Sequence, residues 1–189
     1  MNLDRNICNA VKVLHETYVG VEKLLNFVRE KADEYGYVSM TPDILLWRSK
    51  KWVASWLTSK FTVLFQRKGK NLLPSGWYDD DIFGMEICFD VPEESEAALY
   101  ITRLCYEGDR EGLPFSYDWY FTHPKWDNNS FKICRTEDGL IISEPLDDRI
   151  KTKFKGLKQA FYKRDTFSDI TSENVKEKVF AVMDELTAL

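Results

Sequence analysis

Residues 82–106 show the clearest alternation of apolar and polar positions in the chain. The alternating residues are Met85, Ile87, Phe89 and Val91 against Glu86, Cys88 and Asp90. A period of two is typical of a strand with one buried face. A second strand, from Leu99 to Tyr106, follows an acidic connection and is rich in aromatic and β-branched residues.

Further strands are expected after this pair. Alternate aromatic positions from Phe115 to Phe121 predict one strand face. Residues 131–135 and 140–143 flank an Asp138-Gly139 pair, which favours the positive φ angles of a hairpin turn. We therefore predict an antiparallel sheet of four to five strands over about residues 82–143.

Helical periodicity dominates the N-terminal region, about residues 3–35. Apolar residues recur there in steps of three and four at Val11, Leu14, Tyr18, Val21, Leu25, Val28, Ala32 and Tyr35. This spacing predicts one long amphipathic helix, ended by Gly36 and interrupted by Gly20. The seam either pairs with a second copy as a coiled-coil dimer or packs on the protein's own sheet.

Three more helices are predicted. Thr41-Pro42-Asp43 is typical of a helix start and predicts a helix over about 42–59. Apolar spacing predicts C-terminal helices over about 148–162 and 172–188. The prediction is a single α+β domain, residues 1–189, in which N-terminal and C-terminal helices cover one face of the antiparallel sheet.

Composition places the chain among ordinary globular proteins. Of its 189 residues, 44% are hydrophobic and 30% are charged. No apolar stretch approaches the ~18 residues of a spanning helix, and the N-terminus lacks a basic head followed by an apolar run. We therefore expect no membrane span and a cytoplasmic location. The four cysteines form no CxxC pair and are interpreted as buried thiols, so no zinc or redox cofactor is predicted.

The formal net charge of −5 is the difference between large opposing blocks. Residues 41–78 hold one acid and seven bases, 79–148 hold eighteen acids and five bases, and 149–164 hold seven bases and no acid. The basic segments 47–70 and 149–164 have three possible roles: a surface for nucleic acid or another polyanion, a membrane-binding surface, or a face that is solvated or docks on the protein's own acidic half. The candidate polyanion-binding residues are Lys50, Lys51, Lys60, Arg67, Lys68, Lys70, Lys151, Lys155 and Lys158.

Two smaller groups of residues are candidate sites. Trp77, Tyr78 and Trp126 lie beside polar segments and are expected to be exposed anchors for a protein partner. The acidic group Asp79, Asp80, Asp81 and Glu86 is a weak candidate for a divalent-metal site, because nucleases present carboxylates from neighbouring strand ends to Mg²⁺. The lysine that commonly follows in such nucleases is missing, since Cys88 occupies that place.

The absence of catalytic motifs favours a binding function. No glycine loop for phosphate, nucleophile elbow or zinc-protease motif is present, and neither His15 nor His123 has a partner signalled by spacing. We expect a small non-enzymatic binding or regulatory module that contacts proteins and dimerises through its N-terminal helix. Nucleic-acid binding is the first alternative, and a metal-dependent nuclease centred on Asp79 to Glu86 is the second.

Overall fold

The computed structural model describes residues 3–47, 57–90, 96–114 and 119–189. The fold is α+β, with an antiparallel sheet of eight strands. The strands are β1 (Tyr37–Ser39), β2 (Leu45–Trp47), β3 (Lys60–Arg67), β4 (Ile82–Cys88), β5 (Ala98–Tyr106), β6 (Phe131–Arg135), β7 (Leu140–Pro145) and β8 (Leu157–Thr166). The helices are α1 (Leu3–Lys31), α2 (Trp119–Thr122), α3 (Asp148–Lys153) and α4 (Ala181–Thr187), with a π-helical turn (Lys176–Phe180) before α4.

The sheet order is β1-β3-β4-β5-β8-β7-β6, and β2 also pairs with β3. Strand β8, close to the C-terminus, lies between β5 and β7 and joins the two halves of the sheet. The hairpin of β6 and β7 turns at Gly139, whose φ is +82°. The α+β class and the antiparallel sheet are confirmed, but the described residues form eight strands, which extend well beyond residues 82–143.

Every residue of β4 is buried. Met85 and Ile87 belong to one hydrophobic cluster, with Val28 of α1 and Met183 of α4. This cluster is called the helix-side core. The alternation in β4 therefore does not distinguish a buried face from a solvent-exposed one, because both faces of the strand are buried.

The second hydrophobic cluster, called the loop-side core, lies on the opposite face of the sheet. It contains Cys88 and Tyr100 from the sheet, together with Trp77, Phe121 and Phe154 from the connecting segments. The connections between strands thus contribute large aromatic side chains to the core. Burial of both sheet faces explains why the central strands read as nearly continuous apolar runs.

The predicted helix over 42–59 is wrong where the structure describes it, because residues 45–47 form β2; residues 48–56 lie outside the described residues. Thr41 does not cap a helix. Its hydroxyl accepts a hydrogen bond from the Leu64 backbone N–H, at 3.5 Å, and the chain continues as a strand paired with β3.

The predicted helix over 148–162 is also wrong beyond its first turns. Helix α3 ends at Lys153, and β8 begins at Leu157. Lys155 and Gly156 between them have φ values of +59° and +86°, which no right-handed helix contains. The tertiary pairing of β8 with β5 and β7 outweighs the helical spacing of the apolar residues.

The strand predicted from Phe115 to Phe121 is wrong over its described part, since Trp119–Thr122 forms the short helix α2. Residues 115–118 lie outside the described residues, as does Val91. Helix α1 and the 3-10 turn that follows it (Ala32–Tyr35) span the predicted N-terminal range, and α4 lies within the range predicted for the last helix. No helix in the described ranges has the length and apolar character needed to cross a bilayer.

Candidate functional site

The N-terminal half of α1 extends away from the core. Every residue from Leu3 to Val13 is exposed, whereas Val21, Leu25 and Val28 are at most 1% exposed. The apolar stripe of the helix nevertheless continues without a break in steps of four and three. We call the part before Tyr18 the N-terminal seam: Leu3, Ile7 and Val11, which are exposed, and Leu14, which is half-buried.

The exposure of the seam is large for apolar side chains. Leu3, Ile7 and Val11 are 65%, 54% and 61% exposed. Tyr18 marks the point where the stripe reaches the body of the protein, because its hydroxyl donates to the Thr58 carbonyl at 2.7 Å. The same stripe is therefore half solvent-facing and half buried.

The positions beside the seam are mostly uncharged. Cys8, Ala10, His15 and Thr17 flank it, and Asp4 is the only acid or base within the stripe between Leu3 and Tyr18. Asp4 lies in the first helical turn, where the helix dipole favours a carboxylate. The charged residues of this half of α1 otherwise lie on other sides of the helix.

Three of the seven described candidates for polyanion binding form ion pairs with acids of the protein. Arg67 donates two hydrogen bonds to Asp80, at 2.7 and 2.6 Å, and Lys68 and Lys151 form ion pairs with Asp33 and Glu107. These pairs support the interpretation of a face that neutralises the protein's own carboxylates. Lys50 and Lys51 lie outside the described residues.

Lys60 of the first basic segment and Lys158 of the second lie far apart along the sheet. Lys60 shares a cross-strand row with Thr166, at the end of β8. Lys158 lies near the start of β8, about 26 Å from Thr166 at 3.3 Å per residue. Lys70 is exposed in the segment after β3, and Lys155 lies in the turn after α3. The structure thus separates Lys60 from the residues of the second segment that were predicted to join it.

The aromatic candidates have three different environments. Trp77 is fully buried and its indole N–H donates to the Leu113 carbonyl at 3.1 Å, so the expectation that it is an exposed anchor is wrong. Tyr78 is half-buried, and its backbone N–H donates to Gln66. Trp126 is half-buried with its ring edge-to-face against Tyr100, at 5.8 Å between centroids.

Three of the four candidate metal-binding carboxylates form ion pairs with cations of the protein itself. Asp80 binds Arg67, Asp81 accepts from Arg103 at 2.7 Å, and Glu86 pairs with Lys125. Asp79 is exposed. Burial alone would raise the pKa of Asp80, but the hydrogen bonds from Arg67 and from the Asp81 backbone, with the charges of Arg67 and Lys70, together lower it. Within the described ranges, no group of three or more His, Cys, Asp or Glu side chains is placed to hold a metal ion.

A buried ion pair was missed at the level of sequence. Lys125 and Glu86 have side chains that are 0% and 2% exposed, and the ammonium also donates to the Thr122 carbonyl at 3.1 Å. The rings of Tyr100 and Tyr162 lie 4.7 and 4.9 Å from that ammonium. The available signal was weak: a lysine between aromatic residues in the segment Phe121–Trp126, and a glutamate inside an otherwise apolar strand.

Comparison with known proteins yields no relative. No protein-family model, curated protein or solved structure matches the chain. Function therefore has to be inferred from the geometry of the chain. The feature that most needs a partner in that geometry is the N-terminal seam.

Proposed function

We propose that the protein is a small cytosolic, non-enzymatic binding module that assembles as a homodimer through the N-terminal seam of α1. One observation carries this proposal. The apolar stripe that packs α1 onto the helix-side core continues over the half-buried Leu14 to Val11, Ile7 and Leu3, which no described residue covers. Helical seams of this spacing are buried by a second helix in coiled coils.

The length of the projecting segment supports the need for a partner. Residues 3–13 make about three turns and span roughly 16 Å. These residues continue α1, but most helical stability in proteins comes from packing of an apolar face, and short helical segments without such packing are marginal in water. Pairing with another helix supplies that packing and removes the exposed leucine, isoleucine and valine from water.

The composition beside the seam supports a second copy as the partner. Two identical helices repel each other when like charges flank the seam. Here the flanking residues are Cys8, Ala10, His15 and Thr17, and none of them is an aspartate, glutamate, lysine or arginine. Like-charge repulsion between two copies is therefore confined to Asp4 in the first turn, and a closed two-fold dimer is the commonest form of homo-oligomer.

The cysteines support the cytosolic part of the proposal. All four are free thiols, and two of them, Cys8 and Cys134, are exposed. Exposed unpaired thiols suit a reducing compartment, because oxidising compartments convert them to disulfides.

Sedimentation equilibrium of the full chain over a wide concentration range tests the proposal. We expect a mass near twice the 22.2 kDa of one chain at high concentration, falling towards one chain on dilution. Amide hydrogen exchange at residues 3–13 is expected to slow as the dimer forms. A single-chain mass at all concentrations contradicts dimerisation, and a monomer that instead binds anionic lipid vesicles through α1 assigns the seam to a membrane surface.

A further inference from the structure

Three cationic groups surround the indole of Trp126, on the same sheet face as the loop-side core. Lys60, Lys125 and Arg135 place their charged ends 5.9, 5.6 and 5.6 Å from the centre of the Trp126 ring. These residues come from β3, from the 3-10 turn His123–Lys125 and from β6, so the fold brings them together from distant parts of the chain. We call them the Trp126 cluster.

The three cations of the Trp126 cluster differ in burial and in their interactions. Lys125 is fully buried and neutralised by Glu86. Arg135 is exposed, and it makes no hydrogen bond or ion pair with the described part of the chain. Lys60 is half-buried; burial is the main cause that lowers the pKa of Lys125 and of His123, and the charge of Lys60 lowers both further. The cluster is thus a solvent-accessible positive site built on a buried pair.

A fourth cation belongs to the same region. Arg164 of β8 lies in the cross-strand row that contains Tyr100, the residue whose ring meets Trp126. Arg164 is half-buried. Because directly paired residues share a face, Arg164 lies on the same sheet face as Tyr100 and the loop-side core.

Polar atoms beneath the cluster are left without partners. The indole N–H of Trp126, one carboxylate oxygen of Glu86 and the hydroxyl of Thr62 are buried and form no hydrogen bond with the described residues. Thr62 and Glu86 are directly paired across β3 and β4. A buried donor or acceptor without a partner is costly, so this region has hydrogen-bonding capacity that the described residues do not use.

We propose that the Trp126 cluster binds the phosphate group of a nucleotide or nucleic-acid strand. Phosphate oxygens accept charge-assisted hydrogen bonds from lysine and, in pairs, from the planar guanidinium of arginine. The exposed Arg135 supplies such donors at the surface, Lys60 adds positive charge near it, and the partly exposed Trp126 ring offers an aromatic surface beside the guanidinium. The buried pair of Lys125 and Glu86 holds Trp126 in place and is not itself a ligand contact.

Titration of the full chain with three probes tests this proposal. The probes are inorganic phosphate, a nucleoside monophosphate and a single-stranded oligonucleotide, at one fixed salt concentration. Binding is followed by calorimetry and by the NMR signal of the Trp126 indole N–H, assigned from its loss in Trp126→Phe. Tightest binding of the oligonucleotide identifies a nucleic-acid strand as the ligand, whereas equal binding of all three identifies the phosphate group alone.

A matched pair of variants on β6 provides the control. Arg135 and Lys132 lie on the same short strand, three residues apart and therefore on opposite faces, and both are exposed. Arg135→Gln is expected to weaken binding about tenfold, and Lys132→Gln to leave it unchanged within about twofold. Absence of binding by all three probes, or equal weakening by the two variants, overturns the proposal.

Discussion

Lys125 holds its ammonium against the carboxylate of Glu86 in a part of the sheet that water does not reach. The contact ties the 3-10 turn His123–Lys125 to the central strand β4. A buried lysine is tolerated only when an opposite charge and hydrogen bonds replace its water. Glu86 supplies the charge, Thr122 accepts a hydrogen bond, and two tyrosine rings face the cation.

Removal of either partner of this pair should destabilise the fold strongly. Lys125→Met leaves the Glu86 carboxylate buried alone, and Glu86→Gln does the same to the ammonium, so each change should cost about 3–5 kcal/mol of unfolding free energy. The double variant Lys125→Met/Glu86→Gln leaves no unpaired charge and should cost less than the two single changes added together. Urea denaturation of the four proteins measures the coupling. Strict additivity would show that the two groups do not interact.

The same pair predicts a dependence of stability on pH. Burial lowers the pKa of Lys125, and Glu86 opposes that shift. Between the lowered pKa of the folded state and the unfolded value of about 10.4, the unfolded chain binds more protons, so stability rises with pH across that interval.

Glu86→Gln removes the opposing charge, moves the folded pKa of Lys125 further down and extends the interval towards neutral pH. Between pH 7 and 10 the unfolding free energy of this variant should therefore rise more steeply with pH than that of the wild type. Lys125→Met is the control, because it removes the titrating amine and should flatten the curve. Parallel curves for all three proteins would contradict the lowered pKa.

Thiol reactivity should divide the cysteines into two pairs. Cys8 and Cys134 are exposed, whereas Cys88 is buried and burial raises the pKa of Cys105 to about 12. We expect a thiol reagent at pH 8 to modify two cysteines quickly in the native protein and all four after denaturation. Raising the pH to 10 should leave Cys105 slow, since its thiolate forms only near the raised pKa. Peptide mass spectrometry identifies the modified residues, and rapid labelling of Cys105 at pH 8 would be inconsistent with the structure.

Two glycine-to-alanine changes should shift the free energy of unfolding in opposite directions. Gly20 lies within α1 with no heavy atom within 4 Å of an added Cβ, so Gly20→Ala should stabilise by about 0.5–1 kcal/mol. Gly156 has a φ of +86°, and an added Cβ would lie 2.8 Å from the Glu107 carbonyl oxygen. Gly156→Ala should therefore destabilise by about 1–3 kcal/mol. Thermal unfolding of both variants gives the comparison, and a destabilising Gly20→Ala would indicate that α1 bends or packs closely at that point.

Elements defined by local rules were predictable from sequence. The apolar spacing along α1 and the Asp138-Gly139 turn each require nothing beyond neighbouring residues, and both are present. The N-terminal seam could also be located in advance. Its exposure could not, because the same stripe is buried after Tyr18 and solvent-facing before it, and only the fold places that boundary.

Elements defined by distant pairing were not predictable. The helical spacing of Ile150, Phe154 and Leu157 continues through Gly156, yet the chain turns there and enters β8. Gly156, a glycine inside an otherwise helical pattern, was the one local indication that the helix ends there. Similarly, nothing local to Lys125 indicates that a glutamate 39 positions earlier in the chain will neutralise it.

The central proposal, dimerisation through the N-terminal seam, is tested most directly by two valines of α1. Val11 and Val13 are 61% and 62% exposed, but only Val11 lies on the seam. Val11→Glu and Val13→Glu therefore make the same chemical change, at the same exposure, on different sides of one helix. In sedimentation equilibrium we predict that Val11→Glu is monomeric where the wild type and Val13→Glu are dimeric, with circular dichroism verifying that all three fold. A Val11→Glu protein that dimerises as tightly as Val13→Glu would contradict the proposal.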